Sequence, residues 1–215
     1  MRKFLLCTLL IAAALFLSFG EARAALPKDY REFKARYQTE GKTMEGAAHL
    51  YFEAVFGYLN EKTRPEASKL LRYAMYLSMP LEQSSNYRTF VNRMKDPGFH
   101  YIFRSFAAGT SPENSYAMSP DNFKLNFVSK RQESDFYHLF LRSTGADSPR
   151  SMWMQKKDGL WYVINNASTY AEVRAPKSAL DARKNAHDAD FDEPGQFDEP
   201  EPEKDDDEEI EIIKW

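Results

Sequence analysis

The sequence has little cysteine, and this scarcity restricts the chemistry open to the protein. Its single cysteine, Cys7, lies in an apolar run from Phe4 to Phe19. The basic start before this run and the small residues after it are typical of a secretory signal peptide, with cleavage expected after Ala24. A retained N-terminal membrane anchor is the alternative interpretation. Removal of the signal leaves a mature chain without cysteine, which excludes disulfides, thiolate metal ligands and a thiol nucleophile. We therefore expect a periplasmic or secreted bacterial protein that depends on its hydrophobic core.

Motifs that define an enzyme class are absent from the sequence as well. It contains no P-loop, no Gly-rich dinucleotide turn, no G-x-S-x-G elbow and no H-E-x-x-H zinc motif. We expect no cofactor and no metal site. Lysine and arginine are spread along the predicted helices rather than grouped with stacking aromatics, which argues against nucleic-acid binding.

The net charge of −3 hides an uneven distribution along the chain. Residues 187–215 contain 14 acidic residues and two lysines, whereas residues 25–186 contain 24 basic and 17 acidic residues. The acidic stretch repeats FDEP and has few apolar residues, a composition typical of disorder. We expect residues 177–215 to form a largely disordered acidic tail. Three roles stay open for it: weak docking on the basic domain, simple solvation, or a partner motif in its terminal IEIIKW.

Apolar residues at helical spacing predict five helices in the first half of the chain. Three of them cover residues 28–38, 43–60 and 64–78, the fourth ends before Pro97, and a short fifth ends at Gly109. Thr43 is expected to cap the second helix. Thr63 and Glu66 match a capping box at the start of the third.

Beyond Gly109 the apolar pattern alternates as it does in β-strands. The predicted strands are residues 123–130, 134–143, 151–157 and 160–166, with a possible last strand near residues 170–174. Asp158-Gly159 is typical of a two-residue hairpin turn, so Lys157 should pair with Leu160. This pairing assigns each hairpin residue to one of two faces. One face carries Trp153, Leu160, Tyr162 and Ile164, and the other carries Met152, Met154, Trp161 and Val163.

The order of elements predicts an α+β domain at residues 42–176, preceded by a short helical lead-in at residues 25–41. Its helices would pack on a curved antiparallel sheet of about four strands. The stretch TSPENSYAMSPDN, residues 110–122, joins the helices to the sheet and repeats Ser-Pro-acid-Asn. Its residue types are those of turns, and a ligand-binding loop is the alternative.

Four residues are candidates for catalysis: His100, His138, Asp135 and Tyr137. A histidine beside a carboxylate can exchange a proton near neutral pH, so a small hydrolase or lyase with a pocket histidine is one hypothesis. The other interpretation places both histidines in the core or at its rim. His49 and Glu53 stand four apart on a predicted helix, but two ligands are too few for a zinc site.

A non-enzymatic binding domain is the leading hypothesis. Both faces of the predicted hairpin are partly apolar, whereas a sheet with one solvated face alternates more cleanly. Trp153 and Tyr162, with Arg150 as a partner for an anion, are therefore the candidate ligand-binding residues. The ligand would be a protein, a peptide or a small molecule, and the same face would also serve a homodimer.

The phrases RTFVNRMKDPGFHYIFRSFAAGTSPEN, RSTGADSPRSMWM and GLWYV resemble a family of secreted bacterial proteins classed as a domain of unknown function. This resemblance covers about residues 42–176 and implies domain boundaries but no activity. The phrases EGAAHLYFEAVFGYLN and KDGLWYVI resemble the nuclear-transport-factor-2-like (NTF2-like) cone, which implies a curved sheet around a pocket.

Overall fold

The computed structural model describes residues 26–191 of the chain, and the side chains of residues 26–185. The predicted signal peptide and the predicted tail beyond residue 191 lie outside these residues. The α-helices and strands in chain order are α1 (Tyr30–Glu40), α2 (Met44–Leu59), α3 (Arg64–Ala74), α4 (Arg88–Lys95), α5 (His100–Arg104), β1 (Phe127–Glu133), β2 (Phe136–Leu141), β3 (Arg150–Lys157), β4 (Leu160–Asn165) and α6 (Lys177–Phe191). Helices followed by an antiparallel sheet confirm the α+β class. In the described part of the chain, no helix has the length and apolar composition that a membrane span requires.

Helix α2 forms the centre of the core. Thr43 caps it as predicted, because its side chain accepts a hydrogen bond from the Gly46 backbone N–H at 3.0 Å. Most of its residues are buried, since α1 and α3 pack on one side and β4 packs on another. Asp29 caps α1 in the same way, by accepting from the Glu32 N–H.

Two predictions about α3 are wrong. The capping box does not form: the Thr63 hydroxyl donates to the Gly57 carbonyl at 2.5 Å, and Glu66 accepts from the Tyr30 N–H at 2.7 Å. Tertiary partners from α1 and α2 have replaced the local cap. The helix also ends at Ala74 rather than near Ser78, because the chain turns left-handed at Tyr76.

The sheet has the strand order β1-β2-β3-β4, with every neighbouring pair antiparallel. Lys157 pairs with Leu160 as predicted. Asp158 and Gly159 have φ of 50° and 82°, the two positive values that this hairpin turn needs. A register shift then makes Trp153 face Asn165 instead of Ile164.

One face of the sheet contacts the helices, and the other carries an aromatic group. Leu139 pairs with Met152 on the helix-facing side, and both are fully buried. His138 pairs with Trp153 on the opposite side. We call the cluster there the outer aromatic cluster; it consists of Phe136, His138, Phe140 and Trp153.

The linker between α1 and α2 covers the outer edge of β4. The Trp161 N–H donates to the Gly41 carbonyl at 2.8 Å, and the Trp161 carbonyl accepts from the Tyr37 hydroxyl at 2.7 Å. A Cβ atom at Gly41 would lie 2.5 Å from Cδ1 of Tyr37, so glycine allows this close approach.

The predicted last strand is wrong. A 3₁₀ turn spans Ala167–Tyr170, and residues 171–176 have no regular structure. Loops and side chains satisfy this backbone instead of a neighbouring strand: Arg174 N–H donates to the Gly145 carbonyl, and the Tyr170 carbonyl accepts from Arg93. Helix α6 then occupies Lys177–Phe191, residues that the composition assigned to the acidic tail.

Candidate functional site

A cleft of about 640 Å³ lies between α1, α3, the residues that follow α3, and β4. We call it the tyrosine cleft. Its lining residues are Tyr30, Lys69, Arg72, Tyr73, Tyr76, Leu77, Ser78 and Tyr162. The volume falls in the range typical of small-ligand pockets, and the lining combines aromatic rings with cations.

The rings of the cleft are held by one another. The centre of the Tyr162 ring lies 4.9 Å from that of Tyr76 and 6.0 Å from that of Tyr73, both edge-on. Tyr73 contacts Tyr30 edge-on at 5.9 Å. Beneath them, Tyr37 is fully buried and stacks on Tyr162 at 5.4 Å. Edge-on and offset-stacked arrangements are the favourable ones for aromatic rings, so the cleft is a preformed aromatic surface.

Tyr76 has an unusual backbone for its residue type. Its φ of 53° lies in the left-handed region, which glycine normally occupies after a helix. The Leu77 N–H donates to the Arg72 carbonyl at 2.9 Å, which closes the helix end around this residue. The side chain is 51% exposed and therefore gains little from burial. The same left-handed φ occurs at turn residues such as Tyr116 and Asp158, so at Tyr76 it ends α3, and the exposed ring beside the cleft is what points to a site.

Cations surround the aromatic rings. Lys157 Nζ lies 4.0 Å from the centre of the Tyr76 ring, and Lys34 Nζ lies 5.9 Å from that of Tyr73. Arg72 donates to the Leu77 and Ser78 carbonyls, which holds its guanidinium at the rim. Cations at these distances from ring faces are attracted by the ring quadrupole.

Three carboxylates lie near the same rim. Glu66 is 2.5 Å from Lys69 Nζ and also accepts from the Tyr30 N–H. Asp29 is close enough to act electrostatically on Glu66, and Asp158 is close enough to act on Tyr162. Four cations against three carboxylates leave the surroundings of the cleft slightly positive.

Burial is the main cause that raises the pKa of the Tyr162 phenol, followed by its hydrogen bond with Tyr73. The Tyr73 hydroxyl in turn accepts from Gln38 Nε2 at 3.2 Å. The cleft thus offers phenol hydroxyls and positive side chains, which suits an anionic ligand that has an apolar or aromatic part.

The structure separates the candidate ligand-binding residues. Tyr162 lines the tyrosine cleft and is 6% exposed, because α1 and α3 cover the β4 end of its face. Trp153 instead stacks on Phe136 in the outer aromatic cluster, with ring centres 4.8 Å apart. Arg150 donates to the Glu172 carbonyl at 3.0 Å, and its buried Nε has no hydrogen-bond partner in the part of the chain described.

The candidate catalytic residues around β2 point to different sides of the sheet. His138 Nε2 lies 2.9 Å from Glu133 Oε2, in an orientation that does not form a hydrogen bond. The contact becomes an ion pair only when the imidazole is protonated. Asp135 lies in the turn between β1 and β2. Tyr137 lies on the other face, where it packs edge-on against Trp161 at 5.1 Å.

His100 and His49 have structural partners. His100 Nε2 is 2.9 Å from the Met94 carbonyl, and burial lowers the pKa of the ring. His49 Nδ1 lies 3.0 Å from Glu53 Oε1, as the spacing of four predicts. None of the three histidines whose side chains are described lines the tyrosine cleft.

Glu53 belongs to a buried ion pair that the sequence pattern did not reveal. Its carboxylate is 2% exposed and accepts two hydrogen bonds of 2.8 Å from the Arg36 guanidinium. Burial alone would lower the pKa of Arg36, but hydrogen bonds to Glu40 and Glu53 outweigh this and raise it. Among the side chains of residues 26–185, no group of three His, Cys, Asp or Glu could hold a metal ion.

The Ser-Pro stretch at residues 110–122 folds into successive turns. Ser111 and Asn114 exchange side-chain to backbone hydrogen bonds, and the Asn122 N–H donates to the Ser119 carbonyl. Tyr116 between them is fully buried, and its hydroxyl donates to the Arg174 carbonyl at 2.6 Å. This hydrogen bonding matches the predicted turns.

Sequence reasoning missed most of the tyrosine cleft, although one signal for it was present. Lys69, Arg72, Tyr73 and Tyr76 follow the spacing of three, four and seven residues that places side chains on one helical face. A stripe of basic and aromatic side chains along the predicted third helix is therefore visible in the sequence. Its meeting with Tyr30 and Tyr162 is not, because that contact depends on how α1 and β4 pack.

Comparison with known proteins bears on the boundaries of the domain. A family model described as "Domain of unknown function (DUF6935)" matches residues 25–177. No curated protein and no solved structure matches the chain. The matched range runs from the residue before the described part to the first residue of α6, so it contains every residue that lines the tyrosine cleft.

Proposed function

The chain belongs to this family of domains of unknown function, and we propose that it is an exported, non-enzymatic binding domain whose ligand occupies the tyrosine cleft. The observation that carries the proposal is the coincidence, in one cleft, of ordered aromatic rings, a cationic rim and an exposed tyrosine. Binding sites of this kind gain affinity from rigid aromatic side chains, which lose little conformational entropy when a ligand is bound.

The ligand class follows from the chemistry of the lining. A flat apolar or aromatic group would contact Tyr73, Tyr76 and Tyr162, and a carboxylate or phosphate would contact Arg72 and Lys157. Arg72 and Lys157 donate hydrogen bonds and carry positive charge, so an anion at the rim is favoured over a cation of the same shape. The proposed ligand is therefore an anion with an aromatic or apolar body, free or as part of a peptide.

Export is part of the proposal, and residues 1–24 support it by their basic start, apolar run and small residues before Ala25. The domain would act in the periplasm or outside the cell. N-terminal sequencing of the protein recovered from fractionated cells tests this point. We expect the mature chain to begin at Ala25 in the periplasmic or medium fraction. Recovery of the intact N-terminus in the membrane fraction would support the retained anchor instead.

A pair of matched small probes tests the cleft. 3-Phenylpropionate and phenethylamine have similar size and an aromatic ring, but opposite charge. In titrations of ¹⁵N-labelled mature chain, we expect 3-phenylpropionate to shift the amide signals of Tyr73, Tyr76 and Tyr162 saturably. A ligand of this size binds with a Kd of about 1 mM or weaker, so NMR is the suitable method. Phenethylamine should produce smaller shifts at the same residues.

Substitutions in the same hairpin provide the control. Lys157→Gln removes the cation above Tyr76, whereas Lys156→Gln removes the neighbouring cation, which lies 5.9 Å from the Trp161 ring. Only Lys157→Gln should weaken 3-phenylpropionate binding. Equal weakening by both variants would show a nonspecific effect of charge. Shifts centred on His138 and Trp153 would move the site to the outer aromatic cluster and refute the proposal.

A further inference from the structure

Residues 205–215, DDDEEIEIIKW, complement the tyrosine cleft. Their acidic side chains are opposite in charge to the cations at the rim, and the ring of Trp215 suits the aromatic lining. We propose that this segment of the same chain occupies the cleft and competes with the external ligand. This inference rests on the proposed function and names a regulator of the same site. The domain would then be self-blocked until a ligand displaces its own tail.

Charge complementarity is the first support. Residues 192–215 contain 12 acidic residues and two lysines. Near the cleft, the four cations Lys34, Lys69, Arg72 and Lys157 outnumber the three carboxylates Asp29, Glu66 and Asp158 by one. Attraction between the two regions concentrates the acidic segment near the cleft even before specific contacts form.

The apolar residues of the segment give the second support. Ile210, Ile212, Ile213 and Trp215 follow the acidic run directly. An indole ring can stack on tyrosine and also contact a cation face-on, and both kinds of partner are present around Tyr76. The order of charges and apolar groups therefore matches a cleft with a cationic rim and an aromatic interior.

The length of the chain permits the contact. Helix α6 ends at Phe191, and 24 residues follow it. Of these, residues 192–204 connect α6 to the segment and span at most about 45 Å when extended, slightly more than the width of about 40 Å of a domain of this size. The segment can therefore reach the cleft when the path over the surface from the end of α6 is no longer than about 45 Å. Tethering raises its effective concentration to about 1 mM, so an intrinsic Kd of about 0.5 mM or below would weaken ligand binding at least about three-fold.

The experiment measures 3-phenylpropionate binding to the mature chain and to three variants by NMR. Trp215→Ala removes the ring, Trp215→Phe keeps an aromatic ring, and Phe197→Ala removes an aromatic residue elsewhere in the tail. We expect Trp215→Ala to bind at least about three-fold more tightly than the unmodified chain, because a competitor has been weakened. Trp215→Phe and Phe197→Ala should bind like the unmodified chain.

Two outcomes separate this inference from the proposed function. If 3-phenylpropionate binds Trp215→Ala and the unmodified chain equally, at shifts centred on Tyr76, the cleft is a binding site and the tail inference is refuted. If it binds none of the four proteins, the proposed function itself fails. Tighter binding by Phe197→Ala rather than Trp215→Ala would assign the occupant to the FDEP repeat and would also refute the choice of segment.

Salt and dilution complete the test. Neutralising the five residues Asp205–Glu209 to Asn and Gln should release the cleft as Trp215→Ala does, and added salt should reduce the difference between variants. The ratio of the Kd values of the unmodified chain and Trp215→Ala should stay constant when the protein is diluted about ten-fold, because the effective concentration of a tethered competitor does not depend on protein concentration. A difference that disappears on dilution would show exchange of tails between copies and refute docking within one chain.

Discussion

Replacing Tyr76 by glycine and by alanine separates the energetic cost of its backbone from the contribution of its ring. Both substitutions remove the edge-on contact with Tyr162 and the cation above the ring. These losses amount to about 0.5–1.5 kcal/mol for the aromatic pair and about 0.5–1 kcal/mol for the cation. Only glycine also relieves the left-handed backbone at φ 53°, which costs an L-residue about 1–2 kcal/mol.

The expected result is an inverted order of stability. Glycine loses more entropy on folding than alanine, by about 0.5–1 kcal/mol, so the net advantage of Tyr76→Gly over Tyr76→Ala is about 1 kcal/mol. Thermal unfolding should show a Tm about 2–4 °C higher for Tyr76→Gly than for Tyr76→Ala. Both variants should lose 3-phenylpropionate binding, since neither carries the ring.

Ala35 is the matched control, because it is exposed in the middle of α1. There the order should be normal, with the unmodified chain more stable than Ala35→Gly by about 1 kcal/mol. A Tyr76→Ala variant as stable as Tyr76→Gly would refute the reasoning that a strained backbone is retained for the sake of the ring.

Three further predictions concern the domain that supports the cleft. Gly159→Val should lower stability by about 1 kcal/mol or more, because valine does not tolerate φ of 82° in the hairpin turn; an unchanged Tm would contradict this. Arg36→Met should cost about 3–5 kcal/mol in denaturant unfolding, because it removes both guanidinium hydrogen bonds from the buried Glu53 and leaves His49 Nδ1 as its remaining neighbour. Adding Glu53→Leu should recover much of that loss, and a double variant no more stable than Arg36→Met would argue against the buried carboxylate as the cause. Burial lowers the pKa of His100 below its ordinary value of 6.5, so the unfolded chain binds the proton first and stability should fall as pH drops below 6.5. His100→Gln should flatten this part of the stability–pH curve, and an unchanged slope would rule out His100 as its source.

The sequence was sufficient for the parts of the fold that depend on neighbouring residues. The Asp158-Gly159 turn and the alternation around it predicted the register of β3 and β4 at Lys157 and Leu160. The Thr43 cap and the α+β class were also predictable, because a cap and an apolar period are local properties.

The parts that failed depend on contacts between distant segments. Thr63 has every local requirement of a capping residue, yet it bonds to Gly57 because α2 lies beside it. Nothing near Tyr76 marks the end of α3, since glycine is absent from the position where it is usual. Tyr162 and Trp153 alternate to one face, but α1 and α3 cover only the Tyr162 end. The tyrosine cleft therefore required the packing of three elements to become visible.

The hydrogen bonds at Trp161 make the two edge strands of the sheet differ in their accessibility to a further strand. At β4, Gly41 and Tyr37 occupy both the outward N–H and the carbonyl of Trp161, so an incoming strand would have to displace the α1–α2 linker. The other edge strand, β1, is largely exposed and carries Lys130, Arg131 and Glu133. Charged side chains discourage strand addition without preventing it. Any growth of the sheet, whether by self-association under stress or by an invading peptide, should thus begin at β1 and proceed in one direction only.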